Sequence, residues 1–196
     1  IYHEHLDFHT VAPFEKLFSR IGMEVISVEC ISPQGGSIRV MAQKRGGKFK
    51  RDNSVDKLIN LEHKLGLDKA ETFYKFDKKI RLVREKLNKL VFKLKDQGKT
   101  IAGFGAPTKA TTLMAHFGLD EKVLDFIVDD NPLKQGLYTP ITHIPILSAE
   151  ALYELQPDYV LVLAWNFAEP IMKAHQMYSD KIGKFILPMP VPRIVE

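Results

Sequence analysis

Tyr2, His3, Glu4 and His5 stand side by side at the start of the chain, placing a phenol, two imidazoles and a carboxylate in one short stretch. An unperturbed imidazole titrates at about pH 6.5, which suits His5 to proton abstraction near neutrality. Glu4 can orient or charge-balance a neighbour, and Tyr2 can donate a hydrogen bond to a developing oxyanion. Alternation along an extended segment puts Tyr2 and Glu4 on one face and His3 and His5 on the other. Zinc would call for the helical spacing of an HExxH pair, which this stretch does not supply. The chain opens inside this cluster, without an initiator Met or a signal-like segment. The expectation is therefore a C-terminal part of something longer, cut beside its chemistry.

A second constellation follows the apolar run TIAGF. In GFGAPTK, Gly103 and Gly105 allow close backbone approach, Pro107 fits a first helical position, and Lys109 adds a point charge. Backbone N–H groups from Gly105 and Ala106 onward, with the positive end of a helix dipole, suit phosphate or another anion. The stretch is not a dinucleotide fingerprint, because Thr108 stands where GxGxxG needs its last glycine. It is not a Walker A loop either, since Lys109 lacks the preceding glycine. A tight strand–helix turn without a ligand remains the other reading.

Further residues gather at the ends of other apolar runs. Asp129 and Asp130 close VLDFIVDD, where an acid can meet a ribose hydroxyl. Asp129, Asp130 and Asn131 before Pro132 are equally what a turn requires. THIPI carries His143, and LAWNFAEP carries Trp165 and Asn166; Asn166 is either a ligand contact or a helix N-cap. His63, His116 and His175 lie on helical stretches without evident partners, packed or solvent-facing.

These residues need elements to hold them. The chain has 196 residues, 45% hydrophobic and 27% charged, enough for one large domain with a sizeable core. Its net charge of +4 comes from a Lys/Arg excess between Lys44 and Lys99. That balance permits an anionic ligand and does not demand nucleic acid; no RNA-binding aromatic motif or Cys/His finger is present. Cys30, the one cysteine, rules out an intrachain disulfide and reads as a buried inert thiol. No apolar run reaches a membrane span of about 18 residues, so a cytoplasmic protein with no membrane partner is expected.

Residues 1–45 read as helix, strand, turn, strand. Thr10 caps FHTVAPFEKLFSRIG, Gly22 stops it, and MEVISVECIS and SIRVMAQK form an antiparallel pair. Residues 46–98 read as a polar linker, a short helix capped by Ser54, and a long helix from about Lys69 to Gln97. Residues 99–196 alternate strands and helices, with a helix capped by Ser148, another broken near Pro170, and GKFILPMP as the last strand. Their near-continuous apolar strands predict an α/β, Rossmann-like, doubly wound and mostly parallel sheet.

Together, IYHEHLDFHT, GGSIRV, GFGAPTKATTLM, VDDNPLKQGLYTPITHIPI and PDYVLVLAWNFAEPIM resemble the S-adenosylmethionine-dependent sugar C-methyltransferases, over nearly the whole chain and in that family's order. The resemblance implies a three-part enzyme: a zinc-binding N-terminal domain, a methyltransferase domain and a Rossmann-like C-terminal domain. Residues 1–45 would then be the end of a truncated methyltransferase sheet, with the zinc cysteines and the glycine-rich cofactor loop lying upstream. The implied substrate is a nucleotide-linked keto-deoxysugar. His5 is the implied base, Tyr2 and Glu4 share its active site, and no metal acts in the methyl-transfer step. Gly105, Ala106, Lys109, Asp129, Asn131, His143, Trp165 and Asn166 would face the nucleotide-sugar. The fragment alone is expected to be inactive. One departure is visible: Ile141 stands where the family often has the glycine of Pro-Gly-Thr-His. The competing expectations are a stand-alone nucleotide-sugar or phosphate-binding module and an NAD-dependent oxidoreductase, the latter weakened by the incomplete glycine pattern.

Overall fold

The structure, a computed structural model, describes residues 7–195. They fall into two compact units, Asp7–Lys78 and 79–195. The catalytic stretch expected at Tyr2, Glu4 and His5 lies outside the described residues.

In the first unit, α1 (Val11–Arg20), β1 (Met23–Ile31), β2 (Ser37–Lys44) and α2 (Asn53–Leu65) follow in order. The strands pair antiparallel as expected, with Val28 opposite Val40 and a bulge between Val25 and Ser27. The bulge disrupts strict alternation, so Val25 and Val28 are the buried residues of β1, meeting Val11 and Val55 from the two helices. Cys30 is exposed, contrary to expectation, because it lies beyond the part of β1 that this cluster covers. Ser54 does not cap α2. Asp52 does, accepting the Ser54 N–H at 2.8 Å, while Ser54 Oγ accepts the Val28 N–H of β1 at 2.8 Å. The Gly-containing segment before α2 is fastened down: the Gln43 amide donates to the Phe49 carbonyl, and Arg51 pairs with Glu15 and Asp56.

The expected long helix is α3 (Ala70–Asp96), which carries the chain from one unit into the next. Then come β3 (Ile101–Phe104), α4 (Thr108–Phe117), β4 (Phe126–Val128), β5 (Ile146–Leu147), α5 (Ala151–Glu154), β6 (Tyr159–Val162), α6 (Ala168–Ala174), α7 (Gln176–Lys181), β7 (Lys184–Leu187) and β8 (Arg193–Val195). The strands form one six-stranded sheet in the order β5-β4-β3-β6-β7-β8. All neighbours are parallel except β7 and β8. Alternate residues feed two cores, as a pleated strand dictates. Ile101, Ile127, Leu161 and Ile186 face Leu87, Val91 and Leu94 of α3 and the apolar side of α4. Ala102, Val128, Val160 and Phe185 face Leu152 of α5 and Tyr178 of α7. With both faces covered, the sheet is Rossmann-like and doubly wound, as its apolar runs predict.

Three local expectations are corrected. The helix after β6 breaks at His175, between α6 and α7, not at Pro170. Pro170 sits in the first turn of α6, where a missing N–H loses no intrahelical bond. Ser148 does not cap α5, whose N-cap is Glu150. The last strand is not GKFILPMP, since β7 ends at Leu187 and Arg193–Val195 adds an antiparallel edge strand.

Candidate functional site

The chain winds outward from β3 through β4 to β5, then crosses back to place β6 on the other side of β3. Ligands in open α/β sheets sit at the carboxyl ends of strands where the winding reverses, here between β3 and β6. The turn after β3 reaches this point at Gly105. Its φ is +87°, and a Cβ added there would lie 2.7 Å from Ala164 Cβ at the end of β6. Gly103 is constrained by the sheet, since a Cβ would meet Ile127 and Leu163 within 3 Å. Both glycines are thus fixed by local packing at the switch point.

The peptide at Ala106 is held from two sides by the segment after β4. Asp129 Oδ2 accepts the Ala106 N–H at 2.7 Å, and Lys134 Nζ donates to the Ala106 carbonyl at 3.0 Å. Lys134 also reaches Asp129 Oδ2 at 3.3 Å, while Asp129 Oδ1 accepts the Asn131 N–H at 2.9 Å. Asp129 is only 8% exposed, so this arrangement replaces the water it would otherwise bind. Asn131 Oδ1 accepts the Leu133 N–H at 3.0 Å, making the turn its position predicts.

Lys109 projects from the first turn of α4 over two aromatic faces. Its Nζ lies 4.6 Å from the Trp165 ring centroid and 5.7 Å from that of Phe167. Partial burial pushes its pKa below the usual lysine value. It forms no ion pair with a carboxylate among the described residues. A crevice of about 200 Å³ opens beside it, lined by Gly105, Pro107, Asp129, Asp130, Phe167 and Ile171. The positive end of α4, a partly buried ammonium and two rings therefore converge where anionic or planar groups can be received.

Beyond Pro107 lies a second hollow of about 360 Å³, between α4 and the ends of β4 and β5. The segment from Leu137 to Ile146 folds over it as a hairpin-like loop, with Thr139 N–H donating to Ile144 O and Ile146 N–H to Leu137 O. His143 is at the rim rather than in the crevice, its ring stacked on Tyr138 at 4.4 Å and 7°. The departure at Ile141 has a physical consequence. This β-branched residue adopts φ +70°, and His143 follows at +54°, both in the region that favours glycine.

Gly105, Ala106, Lys109, Asp129 and Trp165 thus gather at the switch point, Asn131 turns the chain beside them, and His143 stands off on the rim. Asn166 is exposed in the short turn ahead of α6, whose N-cap is Phe167. His175 does have a partner: its Nδ1 is 3.0 Å from the Tyr153 hydroxyl, its ring packs on Phe104, and burial lowers its pKa. Sequence reading missed Lys134, Tyr138 and Phe167. NPLKQG shows only a turn, and nothing local marks which lysine folds back onto Ala106. The phenylalanine two residues past Trp165 was the one legible signal of a double aromatic wall.

Among the described residues no group of three or more His, Cys, Asp or Glu side chains converges as a metal site. No helix of the described residues is long and apolar enough to cross a membrane. A family model described as C-methyltransferase C-terminal domain matches residues 32–190. The chain is also 34% identical over 195 residues to the C-methyltransferase NovU of Streptomyces niveus, covering 100% of this chain and 46% of that protein. It spans about half the length of that curated relative.

Proposed function

The chain belongs to the family of C-methyltransferase C-terminal domains, and from that premise we propose that it is the substrate-holding portion of an S-adenosylmethionine-dependent enzyme that methylates a carbon of a nucleotide-linked keto-deoxysugar. Residues 1–45 end the methyltransferase domain, residues 46–98 connect, and residues 99–196 hold the nucleotide-sugar. The upstream part supplies the donor pocket and the zinc domain, and the enzyme works in the cytoplasm. The observation that carries this reading is the ammonium of Lys109, partly desolvated over Trp165 and Phe167 and in no ion pair among the described residues, beside a switch-point crevice. An anion such as a diphosphate supplies its missing counter-charge.

In this reading His5 takes a proton from the carbon beside the substrate ketone, and the C–H electron pair moves toward the carbonyl oxygen. Tyr2 donates a hydrogen bond to the enolate oxygen so formed, and Glu4 orients or charge-balances a neighbour. S-adenosylmethionine, held by the upstream part, would supply its sulfonium methyl group to that carbon and leave as the neutral thioether. The chain's other task is to hold the sugar in line and exclude water.

In the longer protein, His5→Ala is expected to cut methyl transfer by about 10²–10⁴-fold while nucleotide-sugar affinity stays within several-fold. Turnover at the unsubstituted rate would remove His5 from the base role. The alternative, a nucleotide-sugar or phosphate-binding module without catalysis, draws on the crevice lying wholly within 79–195. Binding without methyl transfer in the longer protein would favour it.

A further inference from the structure

Helix α3 is longer than the core it serves. Its apolar residues recur at alternating steps of three and four, from Phe73 and Phe76 through Ile80, Val83 and Leu87 to Leu94, so they line one face of the helix. From Ile80 onward this face packs on the core of the larger unit. Phe73 and Phe76 extend the same seam into Asp7–Lys78, and there they are 56% and 54% exposed, with Tyr74 beside them at 70%. We propose that this aromatic end of α3 is a docking face for the part of the longer protein that lies outside this chain. The proposal rests on reading the chain as one portion of a longer enzyme.

Aromatic side chains do little for a solvated helix. Phe and Tyr are poorer helix formers than Ala, Glu or Lys, so Phe73, Tyr74 and Phe76 in water add nothing to the helix itself. A concentrated apolar patch of this kind marks a surface that a partner covers. The unit that carries it also has the smaller core, built on Val11, Val25, Val28 and Val55. A further apolar contact is what that unit lacks.

Chain length and charge point to the occupant. The C-methyltransferase NovU is matched over 46% of its length, so more than half of such a protein lies beyond what this chain provides. A second copy of this chain is the poorer fit. Over 69–79 the patch is flanked by Lys69, Lys75, Lys78 and Lys79 against Glu71 and Asp77. Glu71 is already paired with Lys75, at 2.7 Å. An isologous contact sets the same patch against itself and would crowd these lysines around one apolar centre. The face calls instead for a different surface, apolar with a rim of carboxylates.

The test is hydroxyl-radical footprinting, read by mass spectrometry, of the 196-residue chain and of the longer protein. Oxidation of Phe73, Tyr74 and Phe76 should be about fivefold slower or more in the longer protein, at every protein concentration, as half-exposed rings become buried. Replacing both Phe73→Ser and Phe76→Ser in the longer protein should return Tyr74 to the rate seen in the chain. The same pair in the 196-residue chain should leave its thermal midpoint within about 2 °C, since the rings are exposed there. Protection that appears only as protein concentration rises makes a second copy the occupant and overturns the proposal. Equal labelling in the two proteins, or rings already protected in the chain, also overturns it and leaves the methyl-transfer reading standing. Protection in a longer protein that transfers no methyl group supports the docking face and overturns that reading instead.

Discussion

The two units are built on very different reserves of buried surface. In Asp7–Lys78 the core cluster is four valines, and Leu17, Ile21, Leu61, Leu65, Phe73 and Phe76 are each about half exposed or more. In 79–195, both faces of a six-stranded sheet are filled, and Ile101, Leu161 and Ile186 are fully buried. The contrast teaches where precision is available. A site meant to hold a ligand in one geometry belongs on the well-packed unit, and the glycine turn, the Asp129–Lys134 clamp and the aromatic wall are all there. The smaller unit draws on specific polar ties, such as Glu62 accepting the N–H groups of Val11 and Ala12, to fasten its helices.

That comparison can be broken by substitution. The largest effect is expected from Leu161→Ala, which should cost the larger unit about 2–5 kcal/mol. Hydrogen exchange should show the loss across β3, β6 and β7 while protection at Val25 and Val28 is unchanged. An equal loss in both units would mean that they do not differ in the way described. Gly105→Ala comes next, at about 2–4 kcal/mol, because it combines a φ of +87° with a Cβ 2.7 Å from Ala164. Thermal denaturation reads it directly.

Tyr178→Phe should cost about 1 kcal/mol, since the buried hydroxyl donates to the Pro157 carbonyl at 2.7 Å and the carbonyl is left without it. Burial also raises the pKa of this phenol, so no tyrosinate signal from Tyr178 should appear in an alkaline absorbance titration before unfolding. Ile141→Gly should raise stability by about 1 kcal/mol by relieving the positive φ. A loss instead would show that the Ile141 side chain does something its 82% exposure does not reveal.

The smallest effect on stability concerns pH. Folding penalises the charged form of Lys109, so that penalty is present below its lowered folded pKa and is relieved as pH rises toward 10.5, the ordinary value. Anion affinity should fall over the same window as the charge is lost. Lys109→Met should remove both dependences, which fluorescence of Trp165, the one tryptophan, can follow. An unchanged profile in Lys109→Met would assign the titration to another group.

Much of the fold was legible because parallel strands buried on both faces write themselves as apolar runs: TIAGF, FIV and YVLV needed no tertiary information. The long α3 helix was legible from its apolar spacing, although only its part from Ile80 onward packs on the core. Cys30 was misread because a bulge and the limited reach of α1 and α2 decide what β1 buries. The edge strand Arg193–Val195 was hidden by its brevity and the prolines before it. At the site, Gly105, Ala106, Lys109 and Trp165 were marked by strand ends and turn chemistry. Lys134 and Tyr138 were not, since what defines them is a hydrogen bond across 28 residues and a ring stack within a folded loop.

The most direct test is to titrate the 196-residue chain with a panel of nucleoside diphosphate-sugars and, separately, with S-adenosylmethionine. Saturable binding of at least one nucleotide-sugar, lost in Lys109→Met, with no binding of S-adenosylmethionine at the same concentrations, is the predicted result. Binding of S-adenosylmethionine with none to any nucleotide-sugar would contradict it.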